Sequence, residues 1–152
     1  MIKRITDPEK FNKMFDDIGK LIAVIENNNE SHFFVKHDIE TIKNSYGNNY
    51  LLAWDVLVWA NETNGKYDSV IIFINDKSAK FGASIFTEFL WLSENPKVGY
   101  KLLQEAVKYA REKEFDLISM SAVERHPKSS KVKKFYERLG FVKDCETYVA
   151  KL

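Results

Sequence analysis

The stretch Leu90-Trp91-Leu92-Ser93-Glu94-Asn95-Pro96-Lys97-Val98-Gly99-Tyr100-Lys101-Leu102-Leu103 decides how this chain is read. It leaves an apolar, β-favouring run, crosses a short polar loop and enters a segment where Leu102, Leu103, Ala106, Val107 and Ala110 recur with a helical period. The stretch is a strand, a loop and a helix N-terminus. Backbone N–H groups in a first helical turn have no partners inside the helix, and the helix dipole adds positive potential there, so such a turn suits a phosphate group. Gly99 would let a bulky anion approach the backbone. The residues alone leave a second reading open, in which Pro96 is a favourable first-turn residue and Gly99 a packing site.

Toward the C-terminus, residues Phe115 to Val123 read as a buried strand, Ser129 to Leu139 as a helix closed by Gly140, and Phe141 to Leu152 as one or two terminal strands. A strand–helix–strand unit with a connection of this length places its strands parallel, with a right-handed crossover. Toward the N-terminus, the run from Phe81 to Leu92 is a strand ending at Ser93-Glu94-Asn95-Pro96. Before it, apolar runs from Tyr50 to Trp59 and Ser69 to Ile74 flank the polar turn Asn61-Glu62-Thr63-Asn64-Gly65, which predicts an antiparallel hairpin. Thr6-Asp7-Pro8-Glu9 predicts a helix start, with Asp7 as cap, Pro8 in the first turn and Glu9 closing a capping box with Thr6. Phe11, Met14, Phe15, Ile18, Leu21, Ile22 and Ile25 then form one apolar face, which Asn27-Asn28-Asn29 ends. Residues 31–36 carry no clear pattern; a short helix from Asp38 to Tyr46 follows, through Ile39 and Ile42, and stops at Gly47. This order predicts an α/β fold with a mixed, mostly antiparallel central sheet, one parallel strand pair and helices on both faces. No repeat or low-complexity linker divides residues 1–152, so a single domain is expected.

With 45% apolar and 30% charged residues the chain is globular in composition, and no apolar run reaches the ~18 residues of a membrane span. The N-terminus lacks the apolar core of a signal peptide, so a cytoplasmic protein is expected. One cysteine, Cys145, and three scattered histidines give neither an internal disulfide nor metal-ligand spacing. Twenty-three basic against 22 acidic residues leave a net charge of +1, which offers no footprint for nucleic acid or anionic lipid. Lys131, Lys133 and Lys134 cluster locally, as on a solvated helix face.

The segment Val132-Lys133-Lys134-Phe135-Tyr136-Glu137-Arg138-Leu139-Gly140-Phe141 reads as a short amphipathic helix with Val132, Phe135, Tyr136 and Leu139 turned inward. A tyrosine in such a stripe is usually a core residue whose hydroxyl reaches a partner. In motif order and spacing, however, this segment and the strand–loop–helix stretch before it together resemble the GNAT acetyltransferase family over roughly residues 80–152. The family's phosphate loop reads Gln or Arg, two residues, Gly, one residue, then Gly or Ala. Here Glu94 holds the first position, Lys97 replaces the first glycine, and Gly99 matches. Ser129 stands seven residues before Tyr136, where the family often has asparagine, and can cap its helix.

The resemblance implies a GNAT-like fold whose parallel strands, centred on Phe89–Leu92 and Ile118–Ala122, splay to admit acetyl-CoA. The backbone around Leu90, Trp91 and Leu92 would pair with the pantetheine arm. The N–H groups of Lys97, Val98, Gly99, Tyr100 and Lys101 would hold the pyrophosphate, with Ser129 and Lys131 near the cofactor at the following helix. Tyr136 would protonate the departing thiolate, and Glu88 would be the base, although a strand carboxylate equally suits an ion pair. His126 and Glu124 are outside candidates for the base. Trp54, Trp59 and Trp91 suit the core or the cleft wall, and Cys145 has no neighbouring base to activate it. The activity so implied is direct transfer of an acetyl group from acetyl-CoA to a primary amine of a small molecule or protein, without a metal. A catalytically silent domain that binds CoA or a protein partner is the alternative, and an O-acyltransferase or a longer acyl donor also fits. A homodimer is left open.

Overall fold

The computed structural model describes residues 1–28, 36–50, 55–78, 82–122, 128–148 and 150. In chain order its elements are β1 (Ile2–Ile5), α1 (Pro8–Asn28), α2 (Ile39–Ile42) continued by a π-helix (Lys43–Tyr50), β2 (Val56–Thr63), β3 (Lys66–Ser78), β4 (Ala83–Ser93), α3 (Pro96–Glu112), β5 (Leu117–Ser119) and α4 (Ser129–Arg138). The strands form one sheet in the order β1-β2-β3-β4-β5. The first four are mutually antiparallel, and β4 pairs with β5 in parallel.

Alternation along β2 divides the core between the two faces of the sheet. Val56, Val58 and Ala60 join Val70 and Ile72 beneath Phe11, Met14, Phe15, Ile18 and Ile22 of α1. Leu57 and Trp59 join Ile71, Phe73 and Phe86 beneath Leu102, Leu103, Ala106 and Ala110 of α3. Both faces are covered, so the central strands read as nearly continuous apolar runs. On the α3 side Phe73 and Phe86 stack with ring centroids 4.1 Å apart. On the α1 side, Asp7 Oδ1 accepts from Lys10 N–H at 2.9 Å, so Asp7 caps α1 as its sequence position predicts. Asp17 on the same helix accepts the Tyr67 N–H at 3.1 Å and fastens α1 to the start of β3.

Several elements depart from the sequence reading. The N-terminal strand β1 has only four residues, Ile2-Lys3-Arg4-Ile5, too few for alternation to identify. The helix expected to stop at Gly47 instead widens into a π-helix and runs through it. A Cβ on Gly47 would stand 2.9 Å from Phe11 Cδ1, so the missing side chain is what lets this turn lie against α1. The strand expected over Phe115 to Val123 is reduced to Leu117–Ser119; Leu117 is 56% exposed, and no described strand covers the outer edge of β5. Among the described residues Phe141 to Tyr148 form no strand. The charges of Lys143, Asp144 and Glu146 interrupt any apolar face there, and Val142 and Tyr148 are almost fully exposed. The strand expected from Tyr50 does not start there, since Tyr50 ends the π-helix and β2 begins at Val56; residues 51–54 and the ends of the expected strands at Phe81, Val123 and Leu152 lie outside the described residues.

Candidate active site

The pairing of β4 with β5 covers only Ile85–Thr87 against Leu117–Ser119. Immediately beyond it β4 carries a bulge: Ile72 of β3 faces Leu90 while the next residue, Phe73, faces Glu88, which leaves Phe89 as the extra residue. A bulge bends its strand and re-aims its side chains. Phe89 and Leu90 consequently pack on the same, α1-facing core. Trp91 lies with Phe86 on the α3 face, on which alternation also puts Glu88. Past Thr87 no described strand pairs with the outer edge of β4, and the ladder to the chain leaving β5 stops.

Two side chains converge on one residue of the chain leaving β5. Glu88 Oε2 accepts the Ser121 N–H at 3.1 Å, and the Tyr136 hydroxyl donates to the Ser121 carbonyl at 2.8 Å. Burial raises the Glu88 carboxyl to about 7, against a smaller lowering by the Ser121 N–H. Burial also pushes the Tyr136 hydroxyl well above the ordinary tyrosine value, and the negative charge of Glu88 adds to this. The Tyr136 ring is stacked on Trp91 at 6.2 Å and touches Phe141 at 5.5 Å, so its position is set by packing on two sides. Among the described residues Glu88 takes part in no ion pair.

The β4–α3 loop is organised differently from the phosphate cradle the sequence suggests. Asn95 caps α3, its Oδ1 accepting from Lys97 N–H at 3.0 Å and its carbonyl from Gly99 N–H at 2.9 Å. Pro96 has no N–H, and Tyr100 and Lys101 lie far enough into the helix for their N–H groups to belong to its own ladder. Val98 therefore holds the one first-turn N–H left without a partner among the described residues. Gly99 is buried, and a Cβ there would meet Ser93 Cβ at 3.1 Å, so its open side faces β4. Gly99 is therefore packed closely against Ser93, as the packing reading of this glycine expects. Ser93 is itself fixed, its hydroxyl donating to the Asn95 carbonyl at 2.8 Å and sharing a 3.0 Å hydrogen bond with Ser69 Oγ.

The remaining candidates scatter around this frame. Leu90 and Leu92 turn their side chains into the α1-side core. Lys97, Tyr100, Lys101 and Lys131 are exposed. Ser129 does not cap α4: the capping position is Lys128, which makes no side-chain cap bond, and Ser129 Oγ is buried without a partner. Trp91 Nε1 is likewise buried and unpaired. Trp59 is a core residue, and Cys145 is exposed and free. Glu124, His126 and Trp54 lie outside the described residues. Sequence reasoning missed Ser121, which acts through its main chain and so leaves no signature in its side chain. It also missed Asn95, although an asparagine directly before a first-turn proline is a readable cap signal. Among the described residues no group of His, Cys, Asp or Glu is arranged to hold a metal ion, and no helix is long and apolar enough to cross a membrane.

No family model matches the sequence, and no curated protein matches it. Solved structures do. A ribosomal-protein-alanine N-acetyltransferase from Brucella melitensis biovar Abortus 2308 superposes with a TM-score of 0.67 at 13% identity, over 100% of this chain and 99% of that one. An aminoglycoside acetyltransferase from an uncultured soil metagenomic sample, in complex with trehalose, gives 0.68 at 14% identity, over 100% and 95% of the two chains. A predicted acetyltransferase with acetyl-CoA from Clostridium acetobutylicum gives 0.66 at 15% identity, over 99% and 95%. At these identities the likeness establishes the fold, which is that of the GNAT-type acetyltransferases.

Proposed function

We propose that this chain is an acyl-CoA-dependent N-acetyltransferase that moves an acetyl group from acetyl-CoA directly to a primary amine. The observation that carries the reading is the meeting of Glu88 and Tyr136 on the Ser121 main chain, beside the Phe89 bulge where the β4–β5 ladder has ended. Four features fit acetyl-CoA as the donor. The outer edge of β4 beyond Thr87 is unpaired by any described strand and can receive the amide groups of an extended arm. The Val98 N–H is open at the start of α3, where the helix dipole favours a phosphate. The buried hydroxyl of Ser129 lacks the partner such a group requires. Lys97, Lys101 and Lys131 are exposed cations near the two helix starts.

The chemistry then follows from the two titratable groups. An acceptor arrives as an ammonium ion and must lose a proton before its nitrogen can attack. Glu88, raised to about 7, is poised near neutral pH with about half of it in the basic carboxylate form, and no described residue occupies its Oε1. The neutral amine forms the new C–N bond to the acetyl carbonyl carbon, the C–S bond breaks, the thiolate takes a proton from the Tyr136 hydroxyl, and the tyrosinate regains one from the nitrogen of the new amide. With the amine proton on Glu88, the carboxylate charge that holds the Tyr136 proton in place is gone, so base and acid are coupled in the useful order. The Tyr136 hydroxyl must rotate away from the Ser121 carbonyl to do this, about a single C–O bond.

A second reading, a silent domain that keeps the cleft and binds CoA or a protein, has its own support in Gly99 being closed by Ser93 and in the first-turn N–H groups already bonded to Asn95. Incubation with acetyl-CoA and a panel of primary amines, with free thiol detected, separates the two. Amine-dependent thiol release that Glu88→Gln abolishes supports the enzyme. Binding of CoA without release for any amine supports the silent domain.

A further inference from the structure

Beyond Thr87 and Ser119, where the parallel ladder stops, the chain continues from β5 through Met120, Ser121 and Ala122 without strand pairing. Both main-chain groups of Ser121 are nevertheless taken. Its N–H goes to a side chain on β4 and its C=O to a side chain on α4. The Ser121 side chain is exposed and takes part in neither bond. These two bonds lie past the end of the β4–β5 ladder, beside the edge of β4 proposed for the acyl donor.

Resting on the acetyltransferase reading, we infer that the main chain of Ser121 is the positioning group of this site: it orients the Glu88 carboxylate and the Tyr136 hydroxyl and clasps β4 to α4 until an acyl donor takes the hydroxyl over. The geometry gives each bond a separate task. Holding Glu88 through Oε2 leaves Oε1 for the acceptor's proton, and it prevents the carboxylate from turning away on a strand that the bulge has already bent. Holding the Tyr136 hydroxyl aims it from a ring already fixed by Trp91 toward the chain leaving β5. A donor that takes the Tyr136 hydrogen bond releases the Ser121 carbonyl and leaves Glu88 as the tie to that chain.

The test is residue-resolved amide hydrogen exchange on the ligand-free protein. Tyr136→Phe removes one arm of the clasp and keeps the ring. It should speed exchange at Ser121 by roughly three- to tenfold, the worth of one net hydrogen bond, while Phe86 and Thr87 in the adjoining ladder keep their rates. Unchanged exchange at Ser121, or an equal acceleration across the ladder, overturns the clasp. With saturating CoA the difference between wild type and Tyr136→Phe at Ser121 should shrink, because the hydroxyl is then engaged elsewhere; a difference that persists in full overturns the handover. Failure of CoA to bind would count against the acetyltransferase reading and the handover, while the ligand-free comparison still decides the clasp. Ser121→Pro, which deletes the N–H, should move the Glu88 limb of a pH–rate profile to higher pH than in Ser121→Ala, which keeps it. Coincident limbs would overturn the orienting role.

Discussion

Replacing Glu88 by Gln should weaken catalysis and strengthen the fold together, a combination that a structural carboxylate would not give. The folded value of about 7 stands above the ordinary 4.5 because the ionised group is largely out of water. Between 4.5 and about 7 the native state holds a proton that the unfolded chain has lost, so stability falls as pH rises through that window. Above about pH 7 the full difference applies, on the order of 3 kcal/mol. Glutamine keeps an acceptor for the Ser121 N–H and cannot ionise, so it avoids this cost. For a chain of this size the corresponding rise in melting temperature is at most about 6–12 °C at about pH 8, vanishing near about pH 4. Over the same range kcat/KM of the wild type should climb with an apparent pKa near 7, and Glu88→Gln should lose about 10²- to 10⁴-fold of it. Thermal melts of both proteins across pH, together with pH–rate profiles on an identified acceptor, supply the two readings. A melting difference independent of pH, or a variant with wild-type turnover, would refute the assignment of Glu88 as a desolvated base.

Tyr136→Phe should reduce turnover by about 10²- to 10⁴-fold with CoA affinity little changed, at a stability cost of about 1 kcal/mol from the lost bond to Ser121; steady-state kinetics beside calorimetric titration would expose a purely structural tyrosine through normal turnover. Gly99→Val forces a side chain against Ser93 and should destabilise the fold by about 1–3 kcal/mol; Ser93→Gly should recover part of this in chemical denaturation, and absence of any recovery would contradict the packing role. Asn95→Ala removes the cap of α3 and should cost about 0.5–2 kcal/mol; urea melts showing no loss would mean the cap contributes nothing.

The architecture was legible where pattern and burial coincide. The stripe from Phe11 to Ile22, the period-2 runs around Val58 and Ile72 and the stripe from Leu102 to Ala110 each bury the face their spacing dictates. The parallel relation of β4 and β5 followed from the length of the connection through α3. Where elements are short or depend on a neighbour, the sequence was silent or misleading. β1 exists because β2 pairs with it, and the helix around Gly47 persists because α1 receives its bare backbone. The site was half legible. Glu88 and Tyr136 stood out by residue type and by the resemblance of their surroundings, yet what brings them together is a bulge at Phe89 and the main chain of Ser121. Neither is encoded by a distinctive side chain. Gly99 was read in two ways because a glycine marks close approach without saying what approaches; here it is Ser93.

Where an acyl donor binds is the most direct test of the proposed site, and a crystal structure with acetyl-CoA measures that. It should show the arm extended along the outer edge of β4 from Glu88 toward Leu92, with the sulfur within hydrogen-bond reach of the Tyr136 hydroxyl and that hydroxyl turned away from the Ser121 carbonyl. A donor seated elsewhere on the chain, or an edge of β4 that stays empty with the clasp intact at saturating acetyl-CoA, would contradict it.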